Sequence, residues 1–282
     1  MSGILYLCAT PIGNLEDITY RAVRMMKEAD IIAAEDTRNS QKLLNHYDIH
    51  TRLTSYHEHN KWDKGRTIIE KLLQGENVVL ITDAGMPGIS DPGAELVAMA
   101  ADEGIQVSVL PGATASLSAL TISALPTRYF AFEGFLPTDT KDRRIRLEKL
   151  KDEERTLIIY EAPHRLRKTL EELSKSFSAD RKAAVVRELT KKHETVNRRT
   201  LLELAEYYKN EEPKGECIIV IEGKDPKENE ISARKQWDEL SVKEHYDLYI
   251  SGGMDRKNAM KQVALDRGLS KRDIYRILVN EE

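Results

Sequence analysis

The sequence has only two cysteines and no long apolar run, and each of these absences excludes a class of protein. Cys8 and Cys217 lie in separate apolar segments without the spacing of a redox or metal motif, so we interpret both as small core residues in a reducing compartment. No apolar stretch approaches the roughly 20 residues that cross a bilayer. The N-terminus has no basic segment and no small-residue cleavage site. We therefore expect a cytoplasmic protein with no membrane partner.

Sequence signatures for nucleotide phosphates and for metals are missing as well. There is no GxxxxGKS or GxxxxGKT segment, and no GxGxxG follows the first predicted strand. His57, His59 and His164 have no companion ligands at helical or zinc-knuckle spacing. These absences argue against a P-loop NTPase and an NAD-type dehydrogenase, and we expect no metal.

Charged residues are unevenly distributed along a chain whose net charge is −4. Between Lys141 and Arg199 there are 18 Lys and Arg residues against 11 Asp and Glu, a local charge of +7. A basic stretch on an acidic chain predicts a face that meets an anion such as nucleic acid, although a solvated pair of charged helices would have the same composition. The 40% of apolar residues are typical of a globular protein, and 282 residues suffice for two domains or for one with an appendage.

Short apolar segments alternate with amphipathic helical segments in residues 1–125. This alternation predicts βαβ units and a mainly parallel sheet, so we interpret the segment as an N-terminal α/β domain. The predicted strands are Ile4–Ala9, Ile31–Ala34, Val78–Thr82 and Val107–Leu110. The predicted helices include Tyr20–Glu28 with Thr19 as N-cap, Glu95–Glu103 and Thr114–Ala124.

The order of elements changes after the turn Leu125-Pro126-Thr127. Five strand-like segments follow, with clear helices only at Asp142–Leu150 and Pro163–Ser176. Such close spacing predicts a mixed sheet, and we expect a second α/β domain over residues 126–223. Its predicted strands are Tyr129–Phe135, Thr156–Tyr160, Ala183–Arg187, His193–Thr200 and Cys217–Ile221.

Residues 224–282 are predicted to form a polar linker, Lys224–Glu230, and a small helical appendage. Within it, Met254–Leu278 has the spacing of a helix-turn-helix, with a turn at Gly268-Leu269-Ser270 and Ser270 as N-cap of the second helix. Asp255–Arg276 carries 7 Lys and Arg residues against 3 acidic ones. The segment is therefore either a nucleic-acid-binding motif or an ordinary packed helical hairpin.

Three loops rich in glycine and proline each follow a predicted strand. In a parallel sheet such loops lie at the carboxyl edge, where open α/β sheets bind ligands. Glycine lets the backbone approach a ligand closely, and proline fixes the turn. Three such loops at one edge predict a small-molecule site. The loops are Ala9–Leu15, Thr82–Gly93 and Leu110–Ser116.

Two adjacent carboxylates, Glu35 and Asp36, end the second predicted strand. Because neighbouring strand residues face opposite ways, only one of them can enter a cleft. Asp36 and the following Thr37 also suit a helix N-cap, whereas the acidic pair suits contact with a substrate. Both interpretations are open. Asn60 is likewise a good N-cap for the helix that follows it.

Six ordered motifs run through the chain to about residue 223: Ala9–Thr19, Glu35–Arg38, Asp83–Gly93, Gly134–Pro137, Tyr160–Arg165 and Glu188–Lys191. Together they resemble the ribosomal RNA small-subunit methyltransferase I family of the tetrapyrrole methylase superfamily. The resemblance implies a two-domain tetrapyrrole-methylase-like fold with S-adenosylmethionine in the cleft between the domains. It also implies a homodimer that methylates the 2′-oxygen of a cytidine in the decoding region of 16S rRNA, within the small ribosomal subunit.

The resemblance assigns cofactor contacts to individual residues on both sides of the cleft. On the side of the first-domain loops the expected contacts are Pro11, Gly13, Asp83, Ala84, Gly85, Pro87 and Ile89. On the adenosine side they are Thr114, Ala115, Leu136, Ala162, Leu189, Gly215 and Glu216.

A ribose hydroxyl is a weak nucleophile and benefits from a base that takes its proton. Such a base requires a titratable side chain near the methyl group, and a lysine can serve only if burial or neighbouring cations lower its pKa. The candidate bases are Asp36, His57, Glu188 and Lys191. Contacts with RNA phosphates are expected from Arg38, Arg165 and Lys191, and the C-terminal helices are a candidate RNA-docking surface.

Two other functions are compatible with the same motifs. One is methylation of a tetrapyrrole precursor or of a modified protein side chain, as elsewhere in the superfamily. The other is a non-catalytic RNA-binding factor that senses S-adenosylmethionine in the cleft. The basic stretch and the motif Glu35–Arg38 argue against the first of these.

Overall fold

The structure, a computed structural model, describes residues 2–225, 237 and 240–280. The chain divides into two compact units, one formed by Met1–Leu147 with Thr156–Glu222 and the other by Glu148–Arg155 with Gly223–Glu282. Residues 226–230 of the predicted linker lie outside the described residues. The predicted domain limits at 125 and 223 stay predictions. None of the helices in the described part of the chain is long and apolar enough to cross a membrane.

A five-stranded parallel sheet begins the first unit, as the alternating pattern predicts. Its strands are β1 (Ile4–Cys8), β2 (Ile31–Ala34), β3 (Arg52–Ser55), β4 (Val78–Ile81) and β5 (Gln106–Leu110), in the order β3-β2-β4-β1-β5. The central strands β2 and β4 are buried along their whole length because they consist of apolar side chains only. β3 has no counterpart among the predicted strands, since it is polar and only partly buried at the sheet edge.

Five helices alternate with these strands: α1 (Tyr20–Glu28), α2 (Thr37–His46), α3 (Lys61–Leu73), α4 (Ala94–Asp102) and α5 (Ala115–Ile122). α1 begins as predicted, because the Thr19 hydroxyl accepts a hydrogen bond from the Ala22 N–H at 3.1 Å. Asn60 is the N-cap residue of α3, as predicted, but its side chain makes no capping hydrogen bond. The amide group instead accepts the His57 N–H at 2.8 Å and donates to the Ser55 hydroxyl at 3.2 Å, which fixes the loop before the helix.

The second sheet of the first unit is mixed, as predicted. Its strands are β6 (Phe130–Phe135), β7 (Thr156–Glu161), β8 (Lys182–Arg187), β9 (Thr195–Thr200) and β10 (Cys217–Ile221), in the order β6-β7-β10-β8-β9. β6 and β7 are parallel, and the other pairs are antiparallel. The accompanying helices are α6 (Thr140–Leu150), α7 (Pro163–Ser176) and α8 (Leu201–Tyr207), the last of which begins with a capping box of Thr200 and Glu203.

An apolar cluster packs α5 against the second sheet. Ala119 and Leu120 of α5 are buried together with Ile158 of β7 and Val186 of β8, and Ala115 lies at the margin of this cluster. Each of the buried Leu, Ile and Val side chains contributes about 1.5–3 kcal/mol. α5 therefore holds the third predicted ligand loop, which precedes it, close to the second sheet.

Three helices form most of the described part of the second unit: α9 (Val242–Ser251), α10 (Arg256–Arg267) and α11 (Lys271–Asn280). Gly268 ends α10 in the left-handed conformation, with φ 63°. The Ser270 hydroxyl accepts a backbone N–H from the first turn of α11 at 3.2 Å, so turn and cap lie where the sequence predicts them. The helices pack around Val263, Ala264 and Ile274.

Arg267, one of the basic residues of the candidate RNA-docking segment Asp255–Arg276, stabilises the fold of the second unit. Arg267 donates hydrogen bonds to the carbonyl oxygens of Trp237, Leu240 and Ser241 at 2.8, 2.6 and 3.0 Å, and to Nδ1 of His245 at 3.1 Å. It therefore ties α10 to the start of α9. The other six basic residues of the segment are exposed: Arg256, Lys257, Lys261, Lys271, Arg272 and Arg276.

His245 is expected to make the C-terminal unit sensitive to acid. Its ring is fully buried and stacks on Trp237 with the ring centroids 3.8 Å apart. Burial and the charge of Arg267 lower the pKa of His245, against the opposing effect of Asp266. The unfolded chain then binds the proton more readily, so this stability is fully present above the ordinary histidine pKa of about 6.5 and is lost as the pH falls below it.

Amide hydrogen exchange in α9 and α10, corrected for intrinsic rates and measured on both sides of about pH 6.5, checks this expectation. Protection should decrease at the lower pH in the wild-type chain. A His245→Gln variant should show lower protection throughout but little dependence on pH in this range. Equal pH dependence in the two proteins would contradict the role of His245.

Candidate active site

Loops follow all five strands of the parallel sheet at its carboxyl edge. The order of the strands places His57 after β3, Glu35 after β2, Thr82–Gly93 after β4, Ala9–Leu15 after β1 and Leu110–Ser116 after β5. Because the strands are parallel, their C-terminal ends meet at one edge. The three predicted ligand loops therefore follow three adjacent strands.

Backbone contacts join these three loops into one surface. Thr10 and Gly85 exchange two hydrogen bonds between their N–H and carbonyl groups, at 2.9 and 3.1 Å. The Thr10 hydroxyl also donates to the Thr82 carbonyl at 3.1 Å. A Cβ atom on Gly112 would lie only 2.9 Å from the Cβ of Ala9, so the third loop lies against the first. The loops thus form a continuous wall at the carboxyl edge.

The first loop also touches the second sheet. A Cβ atom on Gly13 would lie 2.9 Å from the carbonyl oxygen of Leu189, 2.8 Å from the hydroxyl oxygen of Thr190 and 2.6 Å from Cγ of Lys191. Glu188 and Thr190 have φ values of 51° and 64°, a conformation that costs about 1–3 kcal/mol and clusters at functional sites. The Thr190 hydroxyl is buried without a hydrogen-bond partner among the described residues. Residues 188–191 thus form a second wall opposite the first.

Two carboxylates surround Lys191, one of the predicted bases. Its Nζ lies 3.0 Å from Glu188 Oε1 and 3.1 Å from Glu216 Oε2. Burial lowers the pKa of Lys191, but the hydrogen bonds and charges of these two partners outweigh burial and raise the pKa above its usual value. The condition under which a lysine serves as a base is therefore not met. A Cβ atom on Gly215 would lie 1.7 Å from Glu188 Oε1. The Glu188 side chain can therefore take this position only because residue 215 is a glycine.

Asp36, another predicted base, is the N-cap of α2. Its Oδ1 accepts the Arg38 backbone N–H at 2.8 Å, and its Oδ2 accepts from the Arg38 guanidinium at 3.1 Å. These side-chain and backbone hydrogen bonds lower the pKa of Asp36, which weakens it as a base. Of the two interpretations of Asp36, the structure therefore shows the helix cap. The Arg38 side chain is 89% exposed and can meet an anion from solvent.

Glu35 points toward the β4 loop and is absent from the predicted site residues. The Thr82 hydroxyl, which is buried, donates to Glu35 Oε2 at 2.9 Å. Burial raises the pKa of Glu35, as do the charges of Asp91 and Asp83, and burial likewise raises the pKa of Asp91. Strand alternation limits the cleft to one carboxylate of the pair. The sequence contained a signal for this choice. Asp36 suits a helix cap, which leaves Glu35 as the carboxylate that faces the cleft.

His57 lies at the β3 end of the edge, beside an open groove. Its Nε2 lies 3.2 Å from the Asn60 side-chain nitrogen, and its Nδ1 is buried without a partner among the described residues. The groove between α2 and β3 has a volume of about 740 Å³. It is lined by Thr37, Arg38, Gln41, Leu53, Thr54 and Ser55.

Arg165, a predicted phosphate contact, has a buried partner. Its Nε lies 2.8 Å from Oε1 of Glu161, whose side chain is fully buried. Arg143 is buried too, and it donates to the Thr169 hydroxyl at 2.6 Å. Part of the basic stretch Lys141–Arg199 is therefore internal, and its charge does not all belong to an exposed face.

The remaining predicted cofactor contacts are distributed over both walls. Asn39 donates to the Asp83 carboxylate at 3.2 Å. A Cβ atom on Gly134 would lie 3.8 Å from the Ser90 hydroxyl oxygen, so the β4 loop reaches the second sheet beside Leu136. On the first wall, Asp83, Ala84 and Ile89 are exposed, Pro11 is half-buried, and Gly85 and Pro87 are buried. Thr114 and Ala115, in the third loop of the same wall, are half-buried. On the side of the second sheet, Leu136 is buried, Glu216 is exposed, and Ala162, Leu189 and Gly215 are half-buried.

The acidic side chains of this edge bear on whether it could hold a metal ion. Over the part of the chain that the structure describes, no group of three or more His, Cys, Asp or Glu side chains is arranged to hold a metal ion. The acidic side chains there contact hydroxyl, amide and cationic partners instead.

Comparison with known proteins gives consistent matches. Residues 5–205 match the family model for tetrapyrrole (corrin/porphyrin) methylases. A Halalkalibacterium halodurans protein named ribosomal RNA small subunit methyltransferase I is 50% identical over 279 residues, covering 99% of this chain and 96% of that protein. The Bacillus subtilis protein of the same name is 48% identical over 274 residues, covering 97% and 93%.

The fold also matches solved structures. A uroporphyrin-III C-methyltransferase from Thermus thermophilus, solved in complex with S-adenosylhomocysteine, superposes with a TM-score of 0.55 and 20% identity. The match covers 77% of this chain and 96% of that chain. At this identity the likeness shows a common fold.

Proposed function

Since the chain belongs to the tetrapyrrole methylase family, and within it to the ribosomal RNA small subunit methyltransferase I family, we propose that it methylates the RNA of the small ribosomal subunit. It is an S-adenosylmethionine-dependent methyltransferase. The reaction is transfer of a methyl group to the 2′-oxygen of a cytidine ribose in the decoding region of 16S rRNA. The observation that carries the proposal is the 50% identity to a relative of that name over 99% of this chain.

The two walls fit S-adenosylmethionine in their chemistry. The Asp83 carboxylate at the first wall complements a cofactor with a positively charged sulfur and an ammonium group. The Thr190 hydroxyl on the second wall, which has no hydrogen-bond partner among the described residues, offers a polar contact. When bound, the cofactor supplies a methyl group on a sulfonium sulfur. In this proposal it is held from the first wall by Pro11, Gly13, Asp83, Ala84, Gly85, Pro87, Ile89, Thr114 and Ala115, and from the side of the second sheet by Leu136, Ala162, Leu189, Gly215 and Glu216.

The chain's own residues contribute mainly by positioning. Methyl transfer is an in-line displacement, so a fixed distance and angle between the reacting atoms supplies much of the rate. The hydrogen bonds between Thr10 and Gly85 fix the first wall, and the packing of α5 against β7 and β8 fixes its relation to the second sheet. Both features support a rigid cleft.

RNA contacts are proposed beside this cleft. The groove between α2 and β3 opens next to Arg38, whose exposed guanidinium suits a phosphate. Lys191 keeps its positive charge at the second wall. Arg165 is a weaker contact in this proposal, because Glu161 neutralises its charge. A homodimer, the assembled small subunit as substrate and a cytoplasmic location follow from the family resemblance.

Single-turnover transfer of a labelled methyl group to purified small subunits and to naked 16S rRNA tests the proposal. We expect labelled RNA, and we expect no label when the target nucleotide carries a 2′-deoxyribose. Transfer to protein or to a tetrapyrrole instead of RNA would support the rival methyltransferase function. Absence of transfer to any RNA would overturn the proposal.

The exposed basic residues of the C-terminal unit are expected to bind RNA phosphates. A variant with Lys257, Lys261 and Lys271 changed to Glu should bind small subunits more weakly. The dependence of its affinity on salt should fall by about one unit of slope for each phosphate that the protein no longer neutralises. Affinity for S-adenosylhomocysteine should not change. Binding to small subunits, measured by filter retention at several salt concentrations, checks this.

A matched control places the same charge change on the first unit. Arg21 and Lys27 of α1 and Arg66 of α3 are exposed, and the variant with all three changed to Glu should keep a salt dependence closer to that of the wild type. If the two triple variants lose affinity equally, the effect is one of net charge, and the docking role of α10 and α11 is wrong.

A further inference from the structure

Glu35 and Thr82 form a hydrogen-bonded pair in the middle of the carboxyl edge. Glu35 follows β2, and Thr82 belongs, with Asp91, to the loop after the adjacent strand β4. The Thr82 hydroxyl donates to Glu35 Oε2 at 2.9 Å, and Asp91 is near enough for its charge to raise the pKa of Glu35. Thr82 is 3% exposed, so water does not replace its bond to Glu35. Glu35 lies between the first wall, to which Thr82 and Asp91 belong, and the groove beside Arg38.

Glu35 and Asp91 are a pair of carboxyl groups at this edge. The single proton of the Thr82 hydroxyl is donated to Glu35. Burial raises the pKa of both carboxyl groups, and the negative charge of Asp91 raises the pKa of Glu35 further. A negative charge near a carboxylate favours its protonated form, so Asp91 favours transfer of a proton to Glu35.

Asp91 extends this group toward the second sheet. Burial raises the pKa of Tyr160 of β7, and the charge of Asp91 raises it further. Ser90, the residue before Asp91, lies close to Gly134 of β6. The carboxyl pair thus lies at the part of the carboxyl edge that the second sheet borders.

We propose that Glu35 is the general base that removes the proton from the ribose 2′-hydroxyl, with Thr82 and Asp91 setting its protonation. This inference rests on the proposed function. The 2′-oxygen forms a bond to the methyl carbon while the carbon–sulfur bond breaks onto sulfur, and the hydroxyl proton passes to the Glu35 carboxylate. Release of that proton to solvent returns Glu35 to its starting state.

The surroundings of Glu35 make its carboxylate a stronger base than an ordinary glutamate. Burial and the neighbouring charges of Asp91 and Asp83 raise its pKa, while the hydrogen bonds from Thr82 and from the Asp83 backbone lower it less than these raise it. A base is most effective when its pKa lies near the working pH. Asp36, on the opposite face of the strand end, has a lowered pKa and is already hydrogen-bonded to Arg38, so it lacks this property.

A Glu35→Gln variant tests the assignment. The amide keeps the size of the side chain but cannot take a proton, so the single-turnover rate of methyl transfer should fall by about 10²–10⁴. Its affinity for S-adenosylhomocysteine, measured by calorimetry, should stay as in the wild type. Glu28→Gln, the same change at an exposed position of α1, should leave both quantities unchanged. If affinity falls in parallel with the rate, Glu35 binds the cofactor's positive charge and the base assignment is overturned.

Two further variants should shift the acidic limb of the pH–rate profile in opposite directions. Asp91→Asn removes a charge that raises the pKa of Glu35, so the limb should move to lower pH. Thr82→Val removes a hydrogen bond that lowers this pKa, so the limb should move to higher pH. An unchanged limb in both variants would overturn the role given to the pair.

A readout without turnover separates this inference from the function itself. In protein labelled with carboxyl-¹³C glutamate, the Glu35 resonance is identified by its absence in the Glu35→Gln variant. It should titrate above the ordinary glutamate range in the wild type and at lower pH in Asp91→Asn. If wild-type enzyme methylates RNA but Glu35→Gln does so equally well, the base assignment fails and the proposed function stands. If wild-type enzyme methylates no RNA, the proposed function fails whatever the titration shows.

Discussion

Replacing Glu161 by alanine is expected to lower the free energy of unfolding by about 3–5 kcal/mol, the range for breaking a buried ion pair. The Glu161 carboxylate is fully buried and accepts hydrogen bonds from the Thr169 hydroxyl at 2.6 Å and from the Ala162 N–H at 2.9 Å. Arg165 lies 2.8 Å away and Arg143 3.6 Å away. Without Glu161, Arg165 loses this carboxylate partner, and the buried Arg143 retains Glu172 but loses the more deeply buried of its two carboxylates. This is why the cost exceeds that of a surface pair.

Urea unfolding followed by circular dichroism checks this value. The matched control is Glu171→Ala, which breaks a surface pair with Arg167. The side chains of Glu171 and Arg167 are 33% and 59% exposed. Breaking this pair should lower the free energy of unfolding by about 0.2–1 kcal/mol. A double variant in which Arg143 becomes Met and Glu161 becomes Leu should recover part of the stability, because it leaves fewer unpaired charges. A cost for Glu161→Ala as small as that of the control would contradict the buried-network account.

The same network has a consequence for the proposed cleft. Arg143 donates to the Pro137 carbonyl at 3.3 Å, and Glu161 accepts the Ala162 N–H. Leu136 and Ala162, both proposed cofactor contacts, are therefore adjacent to backbone groups that one buried carboxylate organises. We expect the Glu161→Ala variant, where it stays folded, to bind S-adenosylhomocysteine more weakly than the Glu171→Ala control.

Most of the fold was predictable, because the spacing of apolar residues along the sequence marks its strands and helices. β2 and β4 are buried on both faces, and uninterrupted apolar segments mark them in the sequence. β3 lies at the edge of the sheet, where a strand buries little apolar surface, and its sequence is polar. The spacing of apolar residues therefore does not reveal this strand. Asn60 shows a different limit: residue type predicted a cap, but the local loop uses the same hydrogen-bonding groups for His57 and Ser55.

The site was predictable to the level of loops rather than of side chains. The sequence places glycine-rich loops after parallel strands, and geometry then requires them to meet at one edge. Which of Glu35 and Asp36 faces the cleft depends on how the β4 loop folds over Thr82, and local sequence does not contain that information. Arg165 is a similar case, because only the tertiary structure shows the buried Glu161 beside it.

Gly13→Val is the substitution expected to damage the cleft most directly without removing a functional group. A Cβ atom here would lie 2.9 Å from the Leu189 carbonyl oxygen, a backbone atom that cannot swing aside as the Lys191 side chain can. Thr190, next in the chain, is already held at a φ of 64°, so the segment has little freedom to adjust. The two walls must therefore separate. Misplacement of reacting groups by about 1 Å can cost on the order of 10²-fold in rate, and we expect kcat/KM to fall by that factor.

The control is Gly104→Val, which distinguishes crowding from backbone strain. Gly104 has a φ of 66°, but a Cβ atom there would meet nothing within 4 Å. This variant should lose about 1–3 kcal/mol of stability and keep its affinity for S-adenosylhomocysteine. Gly13 has a φ of 157°, so Gly13→Val should share this loss of stability and add a large loss of affinity in calorimetry, which the control lacks. The contact of Gly13 joins the parallel sheet to residues 188–191. If Gly13→Val binds S-adenosylhomocysteine as tightly as the wild type, the ligand does not bridge these two walls. The cleft would then have to be placed elsewhere along the carboxyl edge.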